Sequence, residues 1–183
     1  DASEIRTDEE GNKATSFEAS SFSPYALGRS GEGGSLLENG RSYQIYCESG
    51  GNAVALSHKD NKLEAIAVEV DASGVVVPTG YAQADFVWEY EDNGYGATLK
   101  YDSANVTYYL RNDPNDPYGS KTWFVTNNEI RVLSFWGAST DAISISGIEG
   151  YSLCYSNGHI TDENIPQPTT WKFKTLEIEK TIK

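Results

Sequence analysis

The chain has 183 residues, 38% of them hydrophobic, and carries 27 Asp and Glu against 14 Lys and Arg, for a formal net charge of −13. Such a surface is repelled by phosphate backbones and anionic bilayers, which argues against nucleic acid and membrane surfaces as partners. No run approaches the ~20 apolar residues of a membrane-spanning helix. The length suits one domain plus a tail, and the apolar set leans to Tyr, Trp, Val and Ile, residues that fit half-buried strands. The absence of Met, including at position 1, and of a charged-then-apolar leader predicts a piece cut from a longer protein.

In chain order, residues 1–35 are rich in Ser, Gly and Glu, and Arg29-Ser-Gly-Glu-Gly-Gly-Ser35 reads as a flexible linker. One strand-like stretch, Phe22 to Leu27, precedes it and reads as the remnant of a preceding domain, since an isolated strand cannot bury itself. From Leu36 the pattern becomes short strand, turn, short strand. Strands are predicted near 42–48, 53–57, 63–70, 74–77, 85–91, 96–101, 106–111, 121–126, 129–135, 141–147, 151–156 and 169–178. Turn signals separate them: Ser49-Gly50-Gly51-Asn52, Asp92-Asn93-Gly94, Asn112-Asp113-Pro114, Asn127-Asn128 and Asn157-Gly158. No window holds a helical period over three turns, so the class is all-β.

An internal comparison refines this. Trp88-Glu-Tyr90, Trp123-Phe-Val125 and Trp171-Lys-Phe173 share one pattern, and strands ending at Leu56, Leu110 and Leu153 share another. The two alternate along the chain as Leu, Trp, three times over. Three four-stranded units predict a β-trefoil over 36–178, with residues 179–183 starting a linker; a β-sandwich or open barrel is the alternative. Phe86, Trp88, Leu110, Trp123, Leu133, Leu153, Trp171 and Phe173 are its expected core.

Three stretches carry a resemblance. Phe17-Glu-Ala-Ser-Ser-Phe-Ser-Pro-Tyr-Ala-Leu27 resembles the closing strand of β-domains in large Gram-positive surface proteins. Leu37-Glu-Asn-Gly-Arg-Ser-Tyr-Gln-Ile45 is similar to the opening of their trefoil-like modules, and Leu176-Glu-Ile-Glu-Lys-Thr-Ile-Lys183 looks like the first strand of a following pilin-type repeat. The resemblance implies a monomeric module inside a multidomain, cell-wall-anchored adhesin or stalk protein, placed outside the cell. It implies no catalytic residues.

The chemistry legible in the residues is sparse. Cys47 and Cys154 either form a disulfide closing a loop of about a hundred residues or stay as buried thiols. His58 and His159 stand in no catalytic motif and read as surface residues, so no nucleophile, base and orienter can be assembled and no enzyme is expected. No cofactor is expected, with Ca²⁺ the sole metal considered. Asp113, Asn115 and Asp116 in the proline-bracketed loop present the hard oxygens Ca²⁺ takes, or else form ion-free Asx turns.

Tyr118, Trp136 and Tyr155 stand beside small polar residues and are candidate platforms for a sugar ring. None of the four Trp has Gln two positions before it, so the Gln-x-Trp motif of ricin-type trefoils is absent. The expected partner is a host glycan or protein. A structural spacer in a stalk is one alternative. A trefoil-type protease inhibitor presenting Thr161 to Pro168 is another.

Overall fold

The computed structural model describes residues 36–116 and 122–176, which belong to a compact unit beginning at Leu36. The tail at 1–35, Tyr118 and the stretch 177–183 lie outside the described residues. The strands are β1 (Ser42–Ser49), β2 (Asn52–Ser57), β3 (Glu64–Asp71), β4 (Gly74–Val76), β5 (Val87–Asp92), β6 (Ala97–Ser103) and β7 (Val106–Asn112). They continue with β8 (Trp123–Thr126), β9 (Ser134–Ser139), β10 (Ala142–Ser146), β11 (Ser152–Ser156), β12 (His159–Glu163) and β13 (Lys172–Thr175). The all-β expectation holds: among the described residues helix is confined to three short 3-10 turns.

Every ladder is antiparallel. One sheet runs β4-β3-β2-β1-β5-β6-β7-β8 with β13 added beside β1, and a second runs β12-β11-β10-β9. Strand β1 is the hub. Tyr43 lies between Thr175 of β13 and Trp88 of β5, and Tyr46 lies between Lys172 of β13 and Ala55 of β2. Thus β13 covers one edge of β1 while β5 and β2 share the other in succession. Neither sheet closes on itself through its ladders. Two single-residue bridges join them, Ala97 to Leu133 and Ile143 to Trp171, the latter through reciprocal backbone bonds of 2.8 and 2.7 Å.

Turn chemistry explains the local order. Gly50 and Gly51, with φ of 61° and 85°, make the two-residue turn between β1 and β2, whose left-handed backbone matches strand twist. Gly137 sits where a Cβ would overlap the Ala142 carbonyl, so only glycine lets β9 approach the start of β10. The strand expected at 129–135 lies instead at Ser134–Ser139. The turn at Asn157-Gly158 leads into β12, which the sequence reading missed because His-Ile-Thr-Asp-Glu offers only two good strand formers. Residues 83–86, partly assigned to a strand, form a 3-10 turn.

All eight expected core residues are buried, none more than 4% exposed. Phe86 belongs to a separate small cluster with Ala55 and Val75, while the other seven join the main core. The Leu series is uniform: Leu56, Leu110 and Leu153 are each fully buried. The Trp series is not. Trp88 Nε1 donates to the Leu56 carbonyl at 3.1 Å, and Trp171 Nε1 donates to the Leu153 carbonyl at 2.9 Å. Trp123 Nε1 is buried with no acceptor among the described residues. Leu133 is bridged to Ala97 and Trp171 to Ile143, whereas Trp123 lies in β8 and pairs with Asn112. Beside these residues, Phe135 packs edge-on to Tyr90 and Phe173 at centroid separations of 5.3 and 6.0 Å.

Candidate functional site

One concavity is a groove of about 590 Å³, inside the ~300–1,000 Å³ common for small-molecule sites. Val54 of β2 and Ala67 of β3, cross-strand partners on one face of the sheet, line it with Val68, the chain at and after β4 adds Val76, Val77 and Pro78, and Tyr155 closes one side from β11. Ser49, Asn52 and Glu69 supply its polar side chains. The β1–β2 turn presents Ser49 and Asn52 at the two positions flanking Gly50-Gly51. Val76 is 42% exposed and Tyr155 half-buried. An apolar wall with a few polar groups and a Tyr at its side can hold the C–H face of a small ring while hydrogen-bonding its rim.

A second concavity, of about 360 Å³, lies over the junction of β5, β6 and the β2–β3 connection. His58 forms its floor, buried at 8% exposure, which corrects the expectation of a surface residue. The ring stacks on Tyr101 at 3.5 Å with 5° between planes, meets Trp88 edge-on at 4.8 Å, and its Nε2 donates to the Val87 carbonyl at 2.8 Å. Burial lowers the His58 pKa from its ordinary value, against smaller upward pulls that include Asp85. Tyr108 also stacks on Tyr101, at 5.3 Å. Asn61 ties the rings together, accepting from the Tyr101 hydroxyl at 3.0 Å and donating to the Tyr108 hydroxyl at 3.3 Å. Asp60 and Asn61 adopt φ of 56° and 59° to reach that position. With His58, Trp88 and Tyr108 all packed against Tyr101, this aromatic set is occupied by its own members.

The other expected residues disperse. Trp136, 43% exposed, lies on β9 and donates from Nε1 to Ser146 Oγ at 3.3 Å; it does not line the Tyr155 groove. Tyr118 lies outside the described residues. In the proline loop, Asp113 Oδ1 accepts the Asn115 backbone N–H at 3.2 Å, and the Asn115 amide donates to Glu149 Oε2 at 2.8 Å. The first is an Asx-turn contact and the second ties the loop to the turn at Ile148–Gly150, and no group of three or more Asp, Glu, His or Cys side chains that could hold an ion converges among the described residues. The loop is anchored by fully buried Asn112, whose amide donates to the Asp162 carboxylate at 3.1 Å and whose Oδ1 accepts from Ile148 N–H at 2.7 Å.

Of the two alternatives for Cys47 and Cys154, the structure holds the buried thiols. Cys47 in β1 and Cys154 in β11 are free, each 2% exposed. Burial, with Glu48 adding to it, pushes the Cys47 pKa to about 12, and burial likewise raises that of Cys154. The loop considered for protease inhibition begins inside β12, and only its part from Asn164 onward is irregular and exposed.

Sequence offered Tyr155 but not its groove. The remaining walls come from residues about a hundred positions away, and no local pattern joins Val76-Val77-Pro78 to Tyr155. No protein-family model matches the chain, and no curated protein matches it.

Proposed function

We propose that this chain is an extracellular, non-catalytic binding module of a bacterial surface protein, and that it takes a glycan in the groove beside Tyr155. The observation that carries this reading is the groove itself: a shallow apolar surface with Tyr155 on one side and Asn52, Ser49 and Glu69 within it. Among the described residues the side chains of Asn52 and Glu69 have no hydrogen-bond partner, so their polar atoms are available to hydroxyls. A non-catalytic role is supported by the state of the reactive side chains. Both thiols are buried with raised pKa values, and the His58 ring is locked between Tyr101, Trp88 and the Val87 carbonyl.

The scaffold we propose is a β-trefoil. Support comes from reading the two bridges together with the ladders, which gives the neighbour sequence β1, β5, β6, the Leu133 strand, β10, β13 and back to β1. Support also comes from matched layers at a spacing of two residues: Ile45, Leu99 and Ile145 are each fully buried, and Tyr90, Phe135 and Phe173 pack together beyond Trp88, Leu133 and Trp171. Backbone NOEs between Ala97 and Leu133 and between Ile143 and Trp171 test the closure; their absence would leave two sheets in a sandwich.

The functional test is a glycan-array screen of the 183-residue chain beside Tyr155→Ala. Binding that Tyr155→Ala abolishes, with unchanged melting, supports the reading. A blank array, or hits indifferent to Tyr155, overturns it.

A further inference from the structure

We propose that Asn157-Gly158, the two-residue turn between β11 and β12, is a self-modifying site: the Gly158 backbone nitrogen closes on the Asn157 side chain and converts that residue to aspartyl and isoaspartyl forms. The chain holds three Asn-Gly pairs, Asn39-Gly40, Asn93-Gly94 and Asn157-Gly158. In each, the absence of a Cβ on glycine leaves the attacking nitrogen least hindered. All six residues are exposed. Neither sequence nor exposure therefore separates the three pairs, but hydrogen bonding does.

At the first pair, Gly40 N–H donates to the Tyr90 carbonyl at 2.8 Å, and Asn39 Oδ1 accepts the Asp92 N–H at 2.9 Å. At the second, Gly94 N–H donates to Asp92 Oδ1 at 2.8 Å, while Asn93 Oδ1 accepts from the Tyr95 and Gly96 N–H groups at 3.0 and 3.1 Å. In both pairs the nucleophile and the group it must attack are held by other partners. Breaking one such bond lowers the reactive population by a factor of roughly two to ten, and each pair has at least two to break. Among the described residues, neither the Asn157 side chain nor the Gly158 N–H has a hydrogen-bond partner. Their φ values of 53° and 84° make a tight left-handed turn. Strand β12 ends its sheet and ladders with β11 alone, so the turn can open without disturbing a second ladder.

The chemistry needs only water. Solvent hydroxide takes the proton from the Gly158 nitrogen, which bonds to Asn157 Cγ. The bond from Cγ to the side-chain nitrogen breaks, and that nitrogen leaves as ammonia with a proton from water, which restores the hydroxide. Water then opens the resulting cyclic imide at one of its two carbonyls. Opening at Cγ gives an aspartyl residue on the original main chain. Opening at the backbone carbonyl gives an isoaspartyl residue, in which the main chain runs through Cγ. The isoaspartyl form lengthens the backbone by one carbon between Ser156 and His159, which pair directly across the turn, so the two-residue loop no longer fits that register.

Trypsin places the three pairs in separate peptides, ending at Arg41, Lys100 and Lys172, so one digest of the intact 183-residue chain reads all of them by mass spectrometry. After ageing in mildly alkaline buffer, the folded chain is expected to convert Asn157 tenfold or more faster than Asn39 and Asn93. In urea the three rates should converge to within threefold. Asp92→Ala removes the acceptor from Gly94 N–H, and should raise the Asn93 rate threefold or more while leaving that of Asn157 unchanged. The isoaspartyl fraction, isolated by reversed-phase chromatography and refolded, should melt below Asn157→Asp, which is the standard for the other product. Conversion of Asn157 in the folded chain no faster than that of Asn39 or Asn93 overturns the assignment. An Asn93 rate unmoved by Asp92→Ala overturns protection by hydrogen bonding, and equal melting of the two products overturns the register consequence.

Discussion

Replacing Trp171 and Trp123 by Phe, one at a time, separates two terms that usually travel together. Both indoles are buried, at 0% and 4% exposure, but only Trp171 has an acceptor, the Leu153 carbonyl at 2.9 Å. Trp→Phe removes roughly 40 Å³ of side chain, which at ~24 cal/mol per Å³ of residual cavity costs about 1 kcal/mol at either site. At Trp171 the substitution also deprives the carbonyl of fully buried Leu153 of its indole donor, worth about 1–3 kcal/mol if no water replaces it. Trp171→Phe is therefore expected to lose about 2–4 kcal/mol. At Trp123 the indole N–H already lacks an acceptor among the described residues, so its removal returns a desolvation penalty of about 1–3 kcal/mol. That return offsets the cavity, and Trp123→Phe should be near neutral or stabilising. Urea unfolding followed by far-UV circular dichroism reads both variants without depending on indole fluorescence, with equal m-values as the check on two-state behaviour. A Trp123→Phe loss as large as that of Trp171→Phe would refute the distinction.

Two further outcomes follow from the buried titratable groups. Burial lowers the His58 pKa below the ~6.5 of an unfolded chain, so between those two values the unfolded state binds more protons. His58 therefore contributes stability that is present above pH ~6.5 and lost as the pH falls through its folded pKa. His58→Gln retains a donor for the Val87 carbonyl but does not titrate, and its stability should decline less than wild type from pH 7 to 5; parallel profiles would sink the account. Cys47 and Cys154 should resist thiol reagents in the native state and react fully in denaturant, with no effect of reductant on melting, since both thiols are free, buried and raised in pKa. Fast labelling of the folded protein at neutral pH would contradict this.

What was legible in the sequence is what one strand carries by itself. The Leu56, Leu110 and Leu153 series could be read because each closes the same short local pattern of strand formers, and each is fully buried. Trp123 misled because Trp-Phe-Val has the same local pattern as Trp88-Glu-Tyr and Trp171-Lys-Phe. What distinguishes the three indoles is which carbonyl stands opposite, a tertiary fact. Leu133 went unmatched for the converse reason, since nothing in Arg-Val-Leu-Ser resembles a Trp strand although its backbone bridges to Ala97 in the same manner. His58 was misplaced because its burial comes from Tyr101 and Trp88, on strands 43 and 30 residues away in sequence.

The position of the groove follows from where the repeated pattern breaks. Strands β8 and β9 are joined by residues 127–133, and β12 and β13 by residues 164–171, both short connections. Between β3 and β5 the chain takes residues 72–86 and folds part of them into β4, and it is this longer passage that carries Val76, Val77 and Pro78. Cutting the excursion back to the length of its counterparts would remove one wall, leaving Tyr155, Asn52 and the main core in place. The core residues Ile45, Leu99, Ile145, Leu56, Leu110 and Leu153 all lie outside that passage. Core and groove nevertheless share residues: Val54 belongs to the main core and lines the groove, Tyr155 packs against that core, and Val75 and Phe86 within the passage are buried against Ala55.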